Sequence, residues 1–279
     1  MSELKNLITK NLRMYCISIN PSHLDIIKKL DYIPVGLSDN FFTKDWLSDK
    51  TEKNISIKNQ YYGEYTFHYW LWQNDKINFD DWIGFCQYRK FWVKNSKNLE
   101  SDSFVNLNNN ILKSIPEELK NYETIVGENY LINQFRLSKF VKHNLGPMLK
   151  NPSLFFNEKK RTIKFHFDMM HGHGNLEKAI NLLPVKDRDD FCHYVNSEVS
   201  FSPYNMFICK NKKILFKYYE SVFPWLLDCE KIFGFKNLKG YGLKRIYGFL
   251  AERYLSYWFK KYTKYYILPI HFKDIGDYI

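Results

Sequence analysis

Cysteine is scarce and unpaired in this 279-residue chain: Cys16, Cys86, Cys192, Cys209 and Cys229 lie far apart, and none forms a CxxC pair. That spacing supports neither a disulfide framework nor a cysteine zinc site. It points to buried thiols in a reducing compartment. The chain has twelve glycines, and none falls in a GxxxxGK or GxGxxG pattern. P-loop kinases, nucleotide hydrolases and dinucleotide oxidoreductases are thereby disfavoured, because their phosphate cradles need such loops. Nowhere do about 18 apolar residues run together, so no membrane-spanning helix is expected. The opening MSELKNLITKN lacks the apolar core of a signal peptide, and the expected location is cytoplasmic. No lysine or arginine block is long enough for a tail, and no nucleic-acid motif appears, so nucleic acid is not an expected partner.

What the chain does have is positive charge and aromatic rings. A net charge of +11 and 18% aromatic residues suit an anionic partner and stacking against sugars or bases. The stretch from Asn54 to Trp92 concentrates both, with four of the seven tryptophans. Tyr61, Tyr65, His68, Tyr69 and Trp72 recur on one helical face, with Asn54 or Ser56 able to cap its start. Trp82 to Cys86 then reads as a buried strand, with Gln87, Tyr88, Arg89 and Lys90 at its carboxyl end. Ligands of open α/β sheets bind at such ends, so an anionic ligand is expected there.

Before this stretch, Met14–Ile19 and Tyr32–Leu37 read as strands flanking a helix over His23–Leu30; after it, Tyr122–Val126 reads as a further strand. The alternation implies an α/β fold with a parallel sheet. Lys94–Asn110 reads as a loop and Ile111–Leu119 as a short helix. The remainder is mostly helical. Lys212–Phe233 has Pro224 to kink or end it, and Lys244–Lys260 places Arg245, Gly248 and Glu252 on one face. No repeat or linker interrupts the chain, so one domain over 1–279 is expected, with a division into two halves near 135.

The densest ionisable cluster is FHFDMMHGHG, with His166, Asp168, His171 and His173. Its two glycines suggest a substrate-contacting loop more than a metal site. If a hydroxyl must lose its proton, Glu252, Asp168 and Glu64 are the candidate bases. The bland alternatives are an ion pair of Glu252 with Arg245 or Arg253, and a Glu64 hydrogen-bonded among tyrosines. Asp80-Asp81 precedes its strand and is not the strand-end Asp-x-Asp that holds a divalent ion in many sugar transferases. A divalent metal (Mg or Mn) is a possible cofactor without a defined site, and Arg89 and Lys90 offer fixed charge in its place. The run RYLSYWFKKYTKYY mixes rings with lysines, as surfaces in peripheral contact with anionic membrane do, although packing into the core is the simpler reading.

Four motifs occur in order: NIS-x-KN-x-YYGEYT-x-x-YWLWQN, WIGFCQYRKFW, PYNMFI and R-x-x-GFLAERYL. Together, from about Met14 to Lys260, they resemble a bacterial capsular and lipopolysaccharide glycosyltransferase family, long described as a domain of unknown function, that includes galactofuranosyltransferases. The resemblance implies a GT-A-like nucleotide-sugar-binding fold and transfer of a hexosyl unit from a UDP-sugar to a glycan or lipid-linked glycan. The family's HYRR-type segment corresponds to Gln87–Lys90, and its His-x3-Asp-Leu pattern falls on His171, Asn175 and Leu176, without the aspartate. On this reading residues of about 12–135 hold the donor, with Asn54, Ser56, Asn59, Tyr88 and Arg89 as its contacts. Residues of about 136–279 frame the acceptor through His171, His173, Tyr204, Asn205, Met206 and Arg245, with Glu252 or Asp168 as base for an inverting transfer. The alternative is a non-catalytic glycan-binding protein, or a pseudo-enzyme component of a polysaccharide assembly.

Overall fold

The computed structural model describes residues 11–78, 80–95, 102–134 and 157–279; the division near 135 expected from the sequence lies outside them. Strand β1 (Leu12–Ser18), helix α1 (Leu24–Lys29), β2 (Ile33–Gly36) and β3 (Leu47–Ser48) open the chain. Helices α2 (Asn59–Tyr62) and α3 (Tyr65–Gln73) lead into β4 (Trp82–Gln87), which turns back at once as β5 (Lys90–Trp92). Helix α4 (Phe104–Asn110) precedes β6 (Thr124–Gly127) and β7 (Tyr130–Leu131). Helices α5 (Ile163–His171), α6 (Asn175–Ile180) and α7 (Val185–Ser197) are followed by β8 (Ser200–Phe201) and β9 (Phe207–Cys209). Helices α8 (Lys212–Phe233), α9 (Gly240–Lys244) and α10 (Ile246–Tyr262), then β10 (Tyr265–Leu268) and β11 (Ile270–Phe272), complete the order.

The fold is mixed α/β with a largely helical C-terminal half. Its main sheet runs β10-β6-β9-β4-β1-β2-β3, with β5 and β11 attached at the end of β4. Side chains alternate across it: Tyr15, Ile17 and Phe85 face the large helical layer, while Met14, Cys16 and Cys86 face the smaller core with α1 and α4. The sheet is not wholly parallel, as the sequence suggested, because β9 runs antiparallel to both β4 and β6. A strand buried on both faces reads as one apolar run whichever way it points. The turn before β9 sets its direction: Tyr204 and Asn205 have φ of 79° and 54°. Register pairs Gly84 with Ile208, so that turn lies beside the carboxyl end of β4.

Several local expectations change. The aromatic helix is broken at Gly63 (φ 59°) into α2 and α3. Asn54 and Ser56 do not cap it; the Asn54 side chain accepts from Ser56 N and binds the Thr51 and Glu52 carbonyls. The stretch read as a loop over Lys94–Asn110 contains α4, which starts where the Ser103 side chain accepts from Asn106 N, and the helix read over Ile111–Leu119 is only a 3-10 turn at Glu117–Leu119. Pro224 interrupts no helix: α8 is continuous, held by a buried face that includes Leu215, Val222, Trp225 and Cys229. The segment read as a histidine loop is helix α5 up to His171, capped by Thr162 and buried through Ile163 and Phe167. In α10 the rings of Tyr254, Tyr257, Trp258 and Phe259 are buried and belong to the core, whereas Tyr262 is exposed. No helix of the described residues is long and apolar enough to cross a membrane.

Candidate functional site

A cavity of about 420 Å³ opens at the carboxyl ends of β1 and β4. Ile17, Ile19 and Leu37 form its floor, and the β4–β5 turn contributes Gln87, Tyr88, Arg89 and Lys90. Tyr204 and Asn205 enter from the turn before β9. Asn59, Gly63 and Glu64 come from the break between α2 and α3, and Tyr241, Arg245, Gly248, Phe249 and Glu252 from α9 and α10. A second cavity, also about 420 Å³, shares Asn59 and lies beyond β2 and β3 against Ser38, Asp39, Asp49, Lys50, Ser56, Ile57 and Gln60.

Two glycines let distant segments meet here. A Cβ on Gly63 would stand 2.3 Å from Arg245 Nη2, and one on Gly248 would stand 3.2 Å from the Tyr62 carbonyl oxygen. The space that Gly248 leaves on α10 is therefore occupied by the backbone of α2. Arg245 lies against the bare Gly63 backbone, its Nη2 3.5 Å from Glu64 Oε2. This close approach couples YYGEYT to R-x-x-GFLAER in space.

Gln87 is the centre of the polar network. Its Nε2 donates to Glu64 Oε1 at 2.8 Å and to the Tyr204 carbonyl at 3.0 Å, while its Oε1 accepts from Lys90 Nζ at 2.8 Å. An amide can serve all three partners; a neutral imidazole has one donor and one acceptor. Lys90 Nζ also stands over the Tyr204 ring. Burial lowers the pKa of Lys90, partly offset by Glu64.

Glu252 accepts from Tyr204 N at 2.6 Å through Oε1, and from Arg253 Nη1 at 2.5 Å through Oε2. Burial raises its pKa, while Arg253 and the Tyr204 N–H pull the other way. Arg89 is more open: it lies over the Tyr88 ring, bonds the Tyr88 hydroxyl and stands 3.7 Å from Asp274. Among the described residues, Arg89, Lys90 and Arg245 thus share the cavity with two lining carboxylates, Glu64 and Glu252.

The structure brings together Asn59, Tyr88, Arg89, Tyr204, Asn205, Arg245 and Glu252 at this cavity. Ser56 lines the second one, and Asn54 lines neither. Met206 is buried in the smaller core. Asp168 is engaged elsewhere, with Lys164 Nζ at 2.7 Å and Gly174 N at 3.2 Å. His171 lies behind the cavity wall, stacked on Phe249 at 4.1 Å with Nδ1 against the Gly242 carbonyl at 2.9 Å. His173 is largely exposed and stands 3.4 Å from Asp168. Glu64, Gln87, Lys90 and Tyr241 are the additional lining residues. Of these, Gln87 and Lys90 were marked by their place after a buried strand and Glu64 as one of three candidate bases, while Tyr241 was not singled out.

The donor set of the cavity does not fit a divalent ion. Both Glu252 oxygens are engaged, Glu64 lies between Gln87 and Arg245, and among the described residues no group of three His, Cys, Asp or Glu could hold a metal. The chain does contain one Asp-x-Asp spacing, Asp187-Arg188-Asp189. It lies in α7, where Asp187 is buried and bonded by Tyr257 and Lys261.

A family model described as Domain of unknown function (DUF4422) matches residues 13–264, and the chain belongs to that family. The fold is similar to that of a solved structure of apo WbbM, a bifunctional glycosyltransferase, with a TM-score of 0.65 at 18% identity. That match covers 94% of this chain and 45% of the WbbM chain, so the present chain corresponds to less than half of its neighbour. No curated protein matches the chain.

Proposed function

We propose that the protein is a glycosyltransferase that moves a hexosyl unit from a UDP-sugar to a glycan, free or lipid-linked. The observation that carries this reading is the convergence of Arg89, Lys90 and Arg245 with two carboxylates at the carboxyl ends of β1 and β4. The GT-A-like fold implied by the motifs, and the likeness in fold to WbbM, support it. In this proposal the nucleoside occupies the second cavity, near Ser56 and Asn59. The diphosphate lies between Arg89 and Arg245, where fixed cations stabilise the charge of the leaving group without a metal. The acceptor enters beside Tyr204, Asn205 and Tyr241. A capsular or lipopolysaccharide glycan, a furanose donor and inversion at the anomeric carbon are the finer parts of the same proposal.

Ligand linkage gives a direct test. A ligand bound only to the native state at about 100 times its Kd stabilises by about 2.7 kcal/mol. UDP is therefore expected to raise Tm by several degrees, and Arg89→Ala to cancel most of that rise. The matching activity measurement is UDP release from UDP-glucose, UDP-galactose, UDP-galactofuranose and UDP-glucuronate with a capsule oligosaccharide as acceptor. A protein indifferent to UDP and inactive on all four would instead be the non-catalytic glycan binder.

A further inference from the structure

The two carboxylates of the cavity are held in different ways. The Glu252 side chain is 12% exposed, with one oxygen accepting from Tyr204 N and the other from the buried Arg253 guanidinium. Its bond to Tyr204 falls on the first of two consecutive non-glycine residues with positive φ. Such backbone is strained and persists only where its surroundings fix it. Gln87, donating to the Tyr204 carbonyl, holds the other side of the same residue from β4. Glu252 is therefore built into the wall as a clamp on the Tyr204–Asn205 turn.

Glu64 is placed otherwise. It stands at the start of α3, beside the break at Gly63, and its side chain is 18% exposed at the cavity surface. One oxygen accepts from Gln87 at 2.8 Å; the other has Arg245 Nη2 at 3.5 Å, a long contact that leaves room for a stronger donor. The charged groups around it are Arg245, Lys90 and Glu252. A carboxylate anchored by one oxygen and facing a cavity with the other is suited to accept a proton from a hydroxyl.

Resting on the transferase reading, we propose that Glu64 is the catalytic base and that Glu252 is a positioning residue that sets the Tyr204–Asn205 turn. Glu64 Oε2 takes the proton of the acceptor hydroxyl as that oxygen bonds to the anomeric carbon of the donor. The bond from that carbon to the diphosphate oxygen breaks, its electron pair leaves with UDP, and Arg245 and Arg89 meet the charge. With water as acceptor the same step is slow hydrolysis.

The test compares Glu64→Gln with Glu252→Gln on the four UDP-sugars named above, reading kcat, KM and the pH dependence of UDP release. Loss of a general base costs about 10²–10⁴-fold. Glu64→Gln is expected to lose kcat on that scale, keep KM and the UDP-induced rise in Tm, and lose the acid limb of the pH profile, with partial rescue in Glu64→Asp. Glu252→Gln is expected to raise KM, lower kcat by less, and keep the acid limb. If the stranded Arg253 charge prevents that variant from folding, Glu252→Gln with Arg253→Met removes both charges and carries the same comparison. Full transfer by Glu64→Gln, or an acid limb that vanishes only with Glu252, overturns the assignment. A wild-type chain that responds to UDP with no turnover overturns the base assignment and leaves nucleotide binding standing. One indifferent to UDP and inactive on every sugar overturns the transferase reading itself.

Discussion

Two clusters of ionisable residues lie back to back in this protein. In front, Glu64, Lys90, Arg89 and Arg245 line an open cavity. Behind the wall, Arg253 is 2% exposed, with Phe201 and Phe249 rings against its guanidinium and His166 and His171 each 3.4 Å from Nη2. The rear cluster is the denser one in sequence, yet His166, His171 and Arg253 line neither of the two cavities described above. Its histidines are held uncharged: burial and the Arg253 charge push His166 down to about 3 and His171 well below its usual value. Ionisable density in a sequence therefore identifies a polar network but not a site. A site needs such groups at a concave, solvent-reaching surface.

Substitutions can separate the two clusters, beginning with the largest effect. Arg253→Ala leaves Glu252 buried without its cation, and loss of one partner of a buried pair costs about 3–5 kcal/mol. The denaturation midpoint is expected to fall sharply; an unchanged midpoint would mean that the rear cluster bears no structural weight. Gly63→Ala acts on the front: it forces a side chain into a φ of 59° and against Arg245 Nη2. The strain is worth about 1–3 kcal/mol, and transfer activity should fall by more than the stability loss explains, as judged at a temperature where the variant stays folded.

Acid should weaken the interior through its buried histidines. His68 is fully buried between Phe85 and Phe207 and is held near 3, while His171 is 3% exposed. The unfolded chain binds protons at these groups from about pH 6.5 downward and the folded chain does not. Stability is therefore retained above that value and lost below it, by on the order of 1 kcal/mol per histidine per pH unit. Denaturant titrations at pH 7 and pH 5 measure this, and His68→Phe should flatten the slope. The smallest effect belongs to His173→Ala, whose side chain is 78% exposed. Stability should stay within about 0.5 kcal/mol and UDP release should be unchanged; a loss of activity would bring the segment after α5 into the site.

Much of the scaffold was legible in the residues. The apolar runs of β1, β2, β4 and β6 announced themselves, as did the helical spacing of α8 and α10, because burial imposes its period on sequence. Placing Gln87–Lys90 at a strand end was enough to put them at the cavity. The antiparallel sense of β9 was not legible, since Phe207-Ile208-Cys209 reads the same in either direction. Nor was the break at Gly63, where the aromatic face continues across two helices.

By itself, then, the sequence determined the strands β1, β2, β4 and β6, the buried faces of α8 and α10 and the strand end that carries positive charge, all of which follow from local pattern. Tertiary structure alone decided which carboxylates and histidines share a surface. Glu64 and Arg245 are 181 residues apart, and they meet because Gly63 and Gly248 let two backbones approach. Glu252 meets the Tyr204 N–H and Asp168 meets Lys164 for the same reason: a side chain's partners depend on what the fold leaves beside it, and that is set by contacts that no sequence period encodes.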